Sequence, residues 1–249
     1  MVNYLKSEIY RIKLMKFTYL LPLSLLLFIF AMLGLTYLVG YNNASFIFTF
    51  TQSSLSAVLF LLPFLVNMIF ADEYGNGTFK NSVAYGVDRK VLYFGKLILM
   101  TSYAVLVSIV VLMLFIFGTN ILMENGTTYD IESQRLFITA IFHSIPVFLA
   151  VLSFSHMLIF VTKKTSSHWA IYFLIIIGFP TLLARLQFGM DNGVVNLLLS
   201  TTPMNLLINI ATGSLRSVPL EYEYLPIVFL LYTVVSLFIG LKFFAKQDV

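Results

Sequence analysis

Six apolar runs set the limits on what this chain can become. Residues 17–40, 54–71, 97–122, 136–161, 169–184 and 225–245 each approach or exceed the roughly 17 to 25 residues a helix needs to cross a hydrocarbon core, the fifth run being the shortest. With 59% hydrophobic and only 10% charged residues among 249, and a mean hydropathy of +0.94, a soluble globular domain is excluded. In lipid the backbone must satisfy its own N–H and C=O groups, so each run is expected to be helical. The expected fold is therefore an all-α integral membrane protein of six transmembrane helices, with residues 1–249 as a single transmembrane domain. Cysteine is absent, which removes disulfides, thiol nucleophiles and thiolate metal ligands.

The first run is longer than the apolar core of a cleaved secretory signal, about 7 to 15 residues, and is expected to remain as an anchor. Lys and Arg collect on the cytoplasmic side of membrane proteins. If the N-terminal flank is cytoplasmic, Lys6, Arg11, Lys13, Lys16, Lys80, Arg89, Lys90, Lys96, Lys163, Lys164, Lys242 and Lys246 lie inside, and only Arg135, Arg185 and Arg216 lie outside. Both termini are thus predicted to be cytoplasmic. The net charge of +4 reads as this topology rather than as affinity for nucleic acid.

Between the second and third runs, residues 71–96 (ADEYGNGTFKNSVAYGVDRKVLYFGK) carry seven charged side chains, the densest charge in the chain. Placing all seven at a bilayer centre would cost roughly 18 to 25 kcal/mol, so the segment lies in water or against protein. Asp72 and Glu73 close the preceding helix, and Gly75, Asn76 and Gly77 permit a reversal. Thr78 is placed to cap a short helix over 79–85 that Gly86 ends, and Asp88 to cap the next helix. Taken alone, the segment is either a solvated loop that fixes topology or a handle for a soluble partner.

The order of an acidic residue, Gly-Thr, Asn, then Arg and Lys at the foot of the next span is here Glu73, Gly77-Thr78, Asn81, Arg89 and Lys96. It resembles the coupling-loop signature of ABC-2 type (type V) permeases, the membrane subunits of bacterial ATP-driven exporters, and the likeness runs along the whole chain. The resemblance implies that Asp72, Glu73, Gly77, Thr78, Lys80, Asn81, Arg89 and Lys96 couple the chain to an ATPase. It implies two separate ATP-binding subunits docked under residues 72–90, with ATP and Mg bound by those subunits and no cofactor bound by this chain. It further implies a second permease copy or a paralogue, in a bacterial plasma membrane. Phe60, Phe64 and Asn67 on the second span, with Phe173 and Ile177 on the fifth, sit where related permeases line a central cavity. Lipid-facing packing is the commoner fate of a membrane phenylalanine, and both readings stand here. In size and in its Phe- and Asn-rich style the chain is also similar to permeases of staphylococcal-type exporters of amphipathic cytolytic peptides, the phenol-soluble modulins.

Three further segments carry expectations. Residues 1–16 alternate in helical rhythm, with Leu5, Ile9 and Ile12 on one face and Lys6, Lys13 and Lys16 largely off it, which suits an interfacial helix beside anionic headgroups or a merely basic flank. Pro22, Pro63, Pro146, Pro180 and Pro226 fall within spans, where each either kinks a helix that must move or reflects the ordinary frequency of proline in membranes. Residues 186–224 hold two short apolar pieces, 194–200 and 204–211, separated by Thr201-Thr202-Pro203. These are expected as external re-entrant helices packed on the bundle.

Several chemistries are excluded. No GxxxxGK[ST], HExxH or GxSxG occurs, so the chain neither cradles ATP itself nor carries a recognisable hydrolytic centre. His143 and His156 share the fourth run on separated faces roughly 20 Å apart, too far to share a metal, and each is expected to be a hydrogen-bonded packing residue. The span interiors lack Asp, Glu, Lys and Arg, which disfavours ion-coupled transport. The resulting expectation is the permease subunit of an ATP-driven exporter of a hydrophobic or amphipathic cargo, such as a peptide toxin, an antimicrobial peptide or a lipid-like compound. The rival class is a membrane scaffold or immunity protein that sequesters a toxic peptide without ATP.

Overall fold

The computed structural model describes residues 2–40, 43–75, 78–123, 128–189, 193–212 and 225–246. Among them every element is a helix. In order these are α1 (Val2–Leu14), α2 (Phe17–Leu38), α3 (Ala44–Ser53), a 3-10 turn (Leu55–Phe60), α4 (Leu62–Gly75), α5 (Thr78–Ala84), α6 (Arg89–Leu122) and α7 (Thr128–Thr162). There follow α8 (Thr165–Phe173), a π-helical turn (Leu174–Gly178), α9 (Phe179–Gly189), α10 (Gly193–Ser200), α11 (Pro203–Thr212) and α12 (Leu225–Ala245).

Five helices are long and apolar enough to cross a membrane: Phe17–Leu38, Arg89–Leu122, Asp130–Thr162, Thr165–Gln187 and Pro226–Ala245. Two bent pairs raise the number to as many as seven. Ala44–Ser53 meets Leu55–Phe70 at 48°, and Gly193–Ser200 meets Pro203–Thr212 at 81°. The second apolar run, expected over 54–71, is therefore the lower part of a longer broken element that begins at Ala44. The break falls at Ser54, whose φ of −93° and ψ of 5° leave the helical region just before the 3-10 turn. Pro180 follows the π-helical turn, the amide of Phe179 reaching back to the Leu174 carbonyl.

The chain forms two compact units. The first comprises Met1–Ser53 and Ile98–Phe142. Its core is a knot of Leu33, Ala44, Ile47, Phe48, Phe115, Met123 and Phe137, in which the rings of Phe48, Phe115 and Phe137 lie 5.4 to 5.9 Å apart. Gly118 admits Leu33 and Phe30 against α6. At one edge Asp130 accepts from the Ser45 amide at 3.2 Å.

In the same unit α1 carries both buried and exposed apolar side chains. Ile12 and Glu8 are buried, whereas Ile9 is 43% exposed beside Tyr10 and Leu14. Arg11 and Glu8 form an ion pair at 2.7 Å. Thr18 and Tyr19 hydroxyls donate to the Ile12 and Lys13 carbonyls, so the end of α1 is capped by the start of α2.

The second unit comprises Ser54–Leu97 and His143–Val249. Its centre is an aromatic box of Phe70, Tyr93, His156, Phe160 and Phe244, with ring centroids 4.6 to 5.3 Å apart between contacting members. Gly240 is required there, since a Cβ at that position would collide with the Tyr93 hydroxyl. A second layer joins α7 to α8 through a buried hydrogen bond between Ser155 Oγ and His168 Nε2 at 2.9 Å. Helix α11 packs on both the 3-10 turn and the π-helical turn.

Candidate functional site

All residues singled out from the sequence belong to the second unit. In this unit α5 stands between α4 and α6 as a separate helix of seven residues. Its end is fixed by Gly86 at φ +83°, with Gly86 N–H bonded to the Val83 carbonyl and Val87 N–H to the Ser82 carbonyl, a Schellman closure that needs a residue tolerant of positive φ. Asp88 Oδ1 then accepts from the Lys90 amide at 2.8 Å and caps α6. Asn81 is exposed on α5, and so is Tyr85, at 88%. Tyr85 was not selected from the sequence, where nothing separates it from the other thirteen tyrosines among 14.

Arg89 and Lys96 reach different surroundings. Arg89 Nη1 donates to the carbonyls of Ala245 at 2.8 Å and Phe244 at 3.3 Å, so it caps the C-terminus of α12 and favourably meets the negative end of that helix. Lys96 is fully buried, with Nζ 5.4 Å from the centroid of Phe70. It therefore lies within the packed interior, where the sequence reading had placed it at the foot of the span among the residues that face the ATPase. Gly77 and the side chains of Asp72, Glu73, Thr78 and Lys80 lie outside the described residues.

On the proposed cavity side the structure brings three of the five residues together. Phe60 and Phe173 have centroids 5.9 Å apart, Phe173 and Trp169 5.6 Å, and Trp169 and Phe64 4.3 Å edge to face, forming a continuous aromatic wall. Phe60 and Phe64 are about half exposed. Trp169 joins the wall without having been chosen from the sequence; its place one helical turn before Phe173 was the available signal. Ile177 is half-buried in the π-helical turn. Asn67 turns inward, 8% exposed, and neither its amide nitrogen nor its oxygen has a hydrogen-bond partner among the described residues.

The histidines depart from expectation. His143 is exposed. His156 is enclosed by Phe70, Tyr93 and Phe160, and its two ring nitrogens have no hydrogen-bond partner among the described residues, because every ring around it is aromatic. Among the described residues no group of three or more metal-ligating side chains occurs.

Residues 4–181 match the family described as ABC-2 family transporter protein. The chain belongs to that family. As an ABC-2 permease it is a transmembrane subunit of an ABC transporter, a membrane transport component distinct from the ATPase, and permeases of this family generally work with ATP-binding subunits. The match covers the knuckle of α5, the aromatic wall and the greater part of both units. No curated protein matches the chain.

Proposed function

We propose that this permease is the membrane half of an ATP-driven exporter, and that α5 is the element on which its ATPase acts. Six spans, with Ala44–Phe70 crossing as one bent helix and α10–α11 entering only part-way, put both termini and α5 in the cytosol of a bacterial cell. Two ATP-binding subunits, carrying ATP and Mg, dock beneath residues 72–90. Asp72, Glu73, Gly77, Thr78, Lys80 and Asn81 supply the contact, with Tyr85 exposed beside them. A second copy or a paralogue completes the translocation path.

The observation that carries this reading is the Arg89 cap. A push on α5 at the base of α6 is delivered through Arg89 to the last carbonyls of α12, and through the close-packed box of Phe70, Tyr93 and Phe160 to α4 and α7. Packed interiors transmit such displacements because they have little compressibility. Lys96 acts from within that box rather than at its surface. The half-exposed wall of Phe60, Phe64, Trp169 and Phe173 suits an apolar or amphipathic cargo, of which an amphipathic peptide is the preferred class.

The test is coupled ATPase activity and cargo efflux in vesicles containing this chain and the ATP-binding subunit encoded beside it. Arg89→Ala is expected to reduce coupling by roughly tenfold, the loss of about 1.5 kcal/mol that a hydrogen bond to a charged group contributes, with partial recovery in Arg89→Lys; Glu73→Ala is expected to behave similarly. Unchanged coupling in both alanine variants favours the scaffold reading. Because the chain has no cysteine, Asn81→Cys offers a single thiol for labelling. Modification of that thiol only from outside intact cells would leave the ATPase no place to act.

A further inference from the structure

A proline at one position of a helix removes the amide that would donate to the carbonyl four residues earlier. Pro63 thus deprives the Leu59 carbonyl of its helical donor, and Pro22 does the same to Thr18. In each case a tyrosine hydroxyl from another helix donates to that same carbonyl. Tyr172, fully buried, bonds to Leu59 O at 2.7 Å in the second unit, and Tyr103 bonds to Thr18 O at 2.9 Å in the first. Two prolines in separate units meet the same solution, which points to replacement of a missing amide. A carbonyl without a donor is costly where water is absent.

The bond between Tyr172 and Leu59 joins two irregular segments. Leu59 precedes Phe60 and Tyr172 precedes Phe173, and those two rings are in contact at 5.9 Å. Leu59 sits in the 3-10 turn, and the π-helical turn begins directly after Phe173. Segments of this kind have poorer hydrogen-bond geometry than an α-helix and often mark hinges. One hydroxyl therefore ties two yielding segments together at a single point. We propose that Tyr172 is a positioning residue for the aromatic wall: it supplies the donor that Pro63 lacks, and so fixes the register in which Phe60 meets Phe173. The wall parts only when this bond is broken. That the wall meets cargo rests on the exporter reading; that Tyr172 sets its geometry does not.

Trp169 is the sole tryptophan in the chain and belongs to the wall, so its fluorescence reports on the wall directly. The experiment measures emission maximum and acrylamide quenching of the full chain in lipid nanodiscs, without ATPase or cargo. Tyr172→Phe keeps the ring and removes the hydroxyl; it is expected to raise the population of the parted wall roughly fivefold, the factor equal to one ordinary hydrogen bond, with a red shift and stronger quenching. Pro63→Ala restores the amide and is expected to resemble the parent. The decisive variant is Tyr172→Phe combined with Pro63→Ala, expected to return emission and quenching to parental values. If Tyr172→Phe yields no folded protein, recovery of folded protein in the double variant carries the same meaning. An unaltered spectrum in Tyr172→Phe, or a double variant as perturbed as Tyr172→Phe alone, overturns the proposal. Loss of transport with an intact fluorescence cycle would instead count against the exporter reading.

Discussion

The two units fill their interiors with different side chains. The first gathers Phe48, Phe115, Phe137 and Leu33 into an apolar knot, with the small polar or acidic side chains of Ser45, Thr119, Asp130 and Ser133 buried in the same unit. The second encloses Lys96, His156, Tyr93 and Tyr172 among its rings. Between helices in a bilayer there is little hydrophobic driving force, since lipid tails are as apolar as leucine. The knot is therefore held by close packing, with the Asp130 carboxylate on the Ser45 amide as a polar contact at its edge. A lysine facing lipid at the centre would cost about 2.5 to 3.5 kcal/mol, so its enclosure over Phe70 penalises any arrangement that exposes it. The contrast is between an apolar knot with small polar groups at its edge and a box that encloses a lysine and a histidine among aromatic rings, and it is in the second unit that α5, the Arg89 cap and the aromatic wall all reside.

The largest test of this contrast is Phe48→Ala. It removes the ring that touches both Phe115 and Phe137 and should destabilise the chain by about 2 to 4 kcal/mol, toward the lower part of the range for core aromatics because lipid tails replace part of the lost transfer term. Thermal unfolding in nanodiscs measures it, and a loss below about 1 kcal/mol would show that the knot is not the packing centre of its unit.

Gly240→Leu attacks the other unit by overpacking. A side chain there must displace the Tyr93 hydroxyl and approaches the Met157 backbone, so a loss of about 1 to 3 kcal/mol is expected, with Gly240→Ala milder. Limited proteolysis across the series provides the check, and equal resistance of parent and leucine variant would mean that the box opens more easily than its packing indicates.

The smallest effect sharpens the comparison most. His156→Phe replaces a ring whose nitrogens have no partner among the described residues with one of similar volume in an aromatic box. Stability should change by less than about 1.5 kcal/mol, with either sign, because no protein hydrogen bond is lost. A clearly larger loss would reveal an ordered water or ion on the imidazole, and the second unit would then be still more unlike the first.

Much of this was legible in the chain itself. Apolar runs of membrane length set the helical class, since backbone groups in lipid have no other way to be satisfied. Glycine at 86 and aspartate at 88 marked a helix end and a helix start because capping is local chemistry, read within a few residues. The broken element beginning at Ala44 was less accessible, because 41–53 is polar enough to pass for a loop until its packing against Phe115 and Phe137 is known.

Position along the chain thus determined which segments are helices, where they begin and end, and which stretch carries the charge. Only the tertiary structure decided that Arg89 meets the end of α12, that Lys96 lies inside against Phe70, that Trp169 meets Phe64, and that Tyr172 completes what Pro63 leaves open. The division has a simple cause. Helix formation depends on neighbours three or four residues away, whereas these contacts join residues from 26 places apart in the pair over Phe70 to 156 in the Arg89 cap, and nothing in a local pattern encodes which distant partner will arrive.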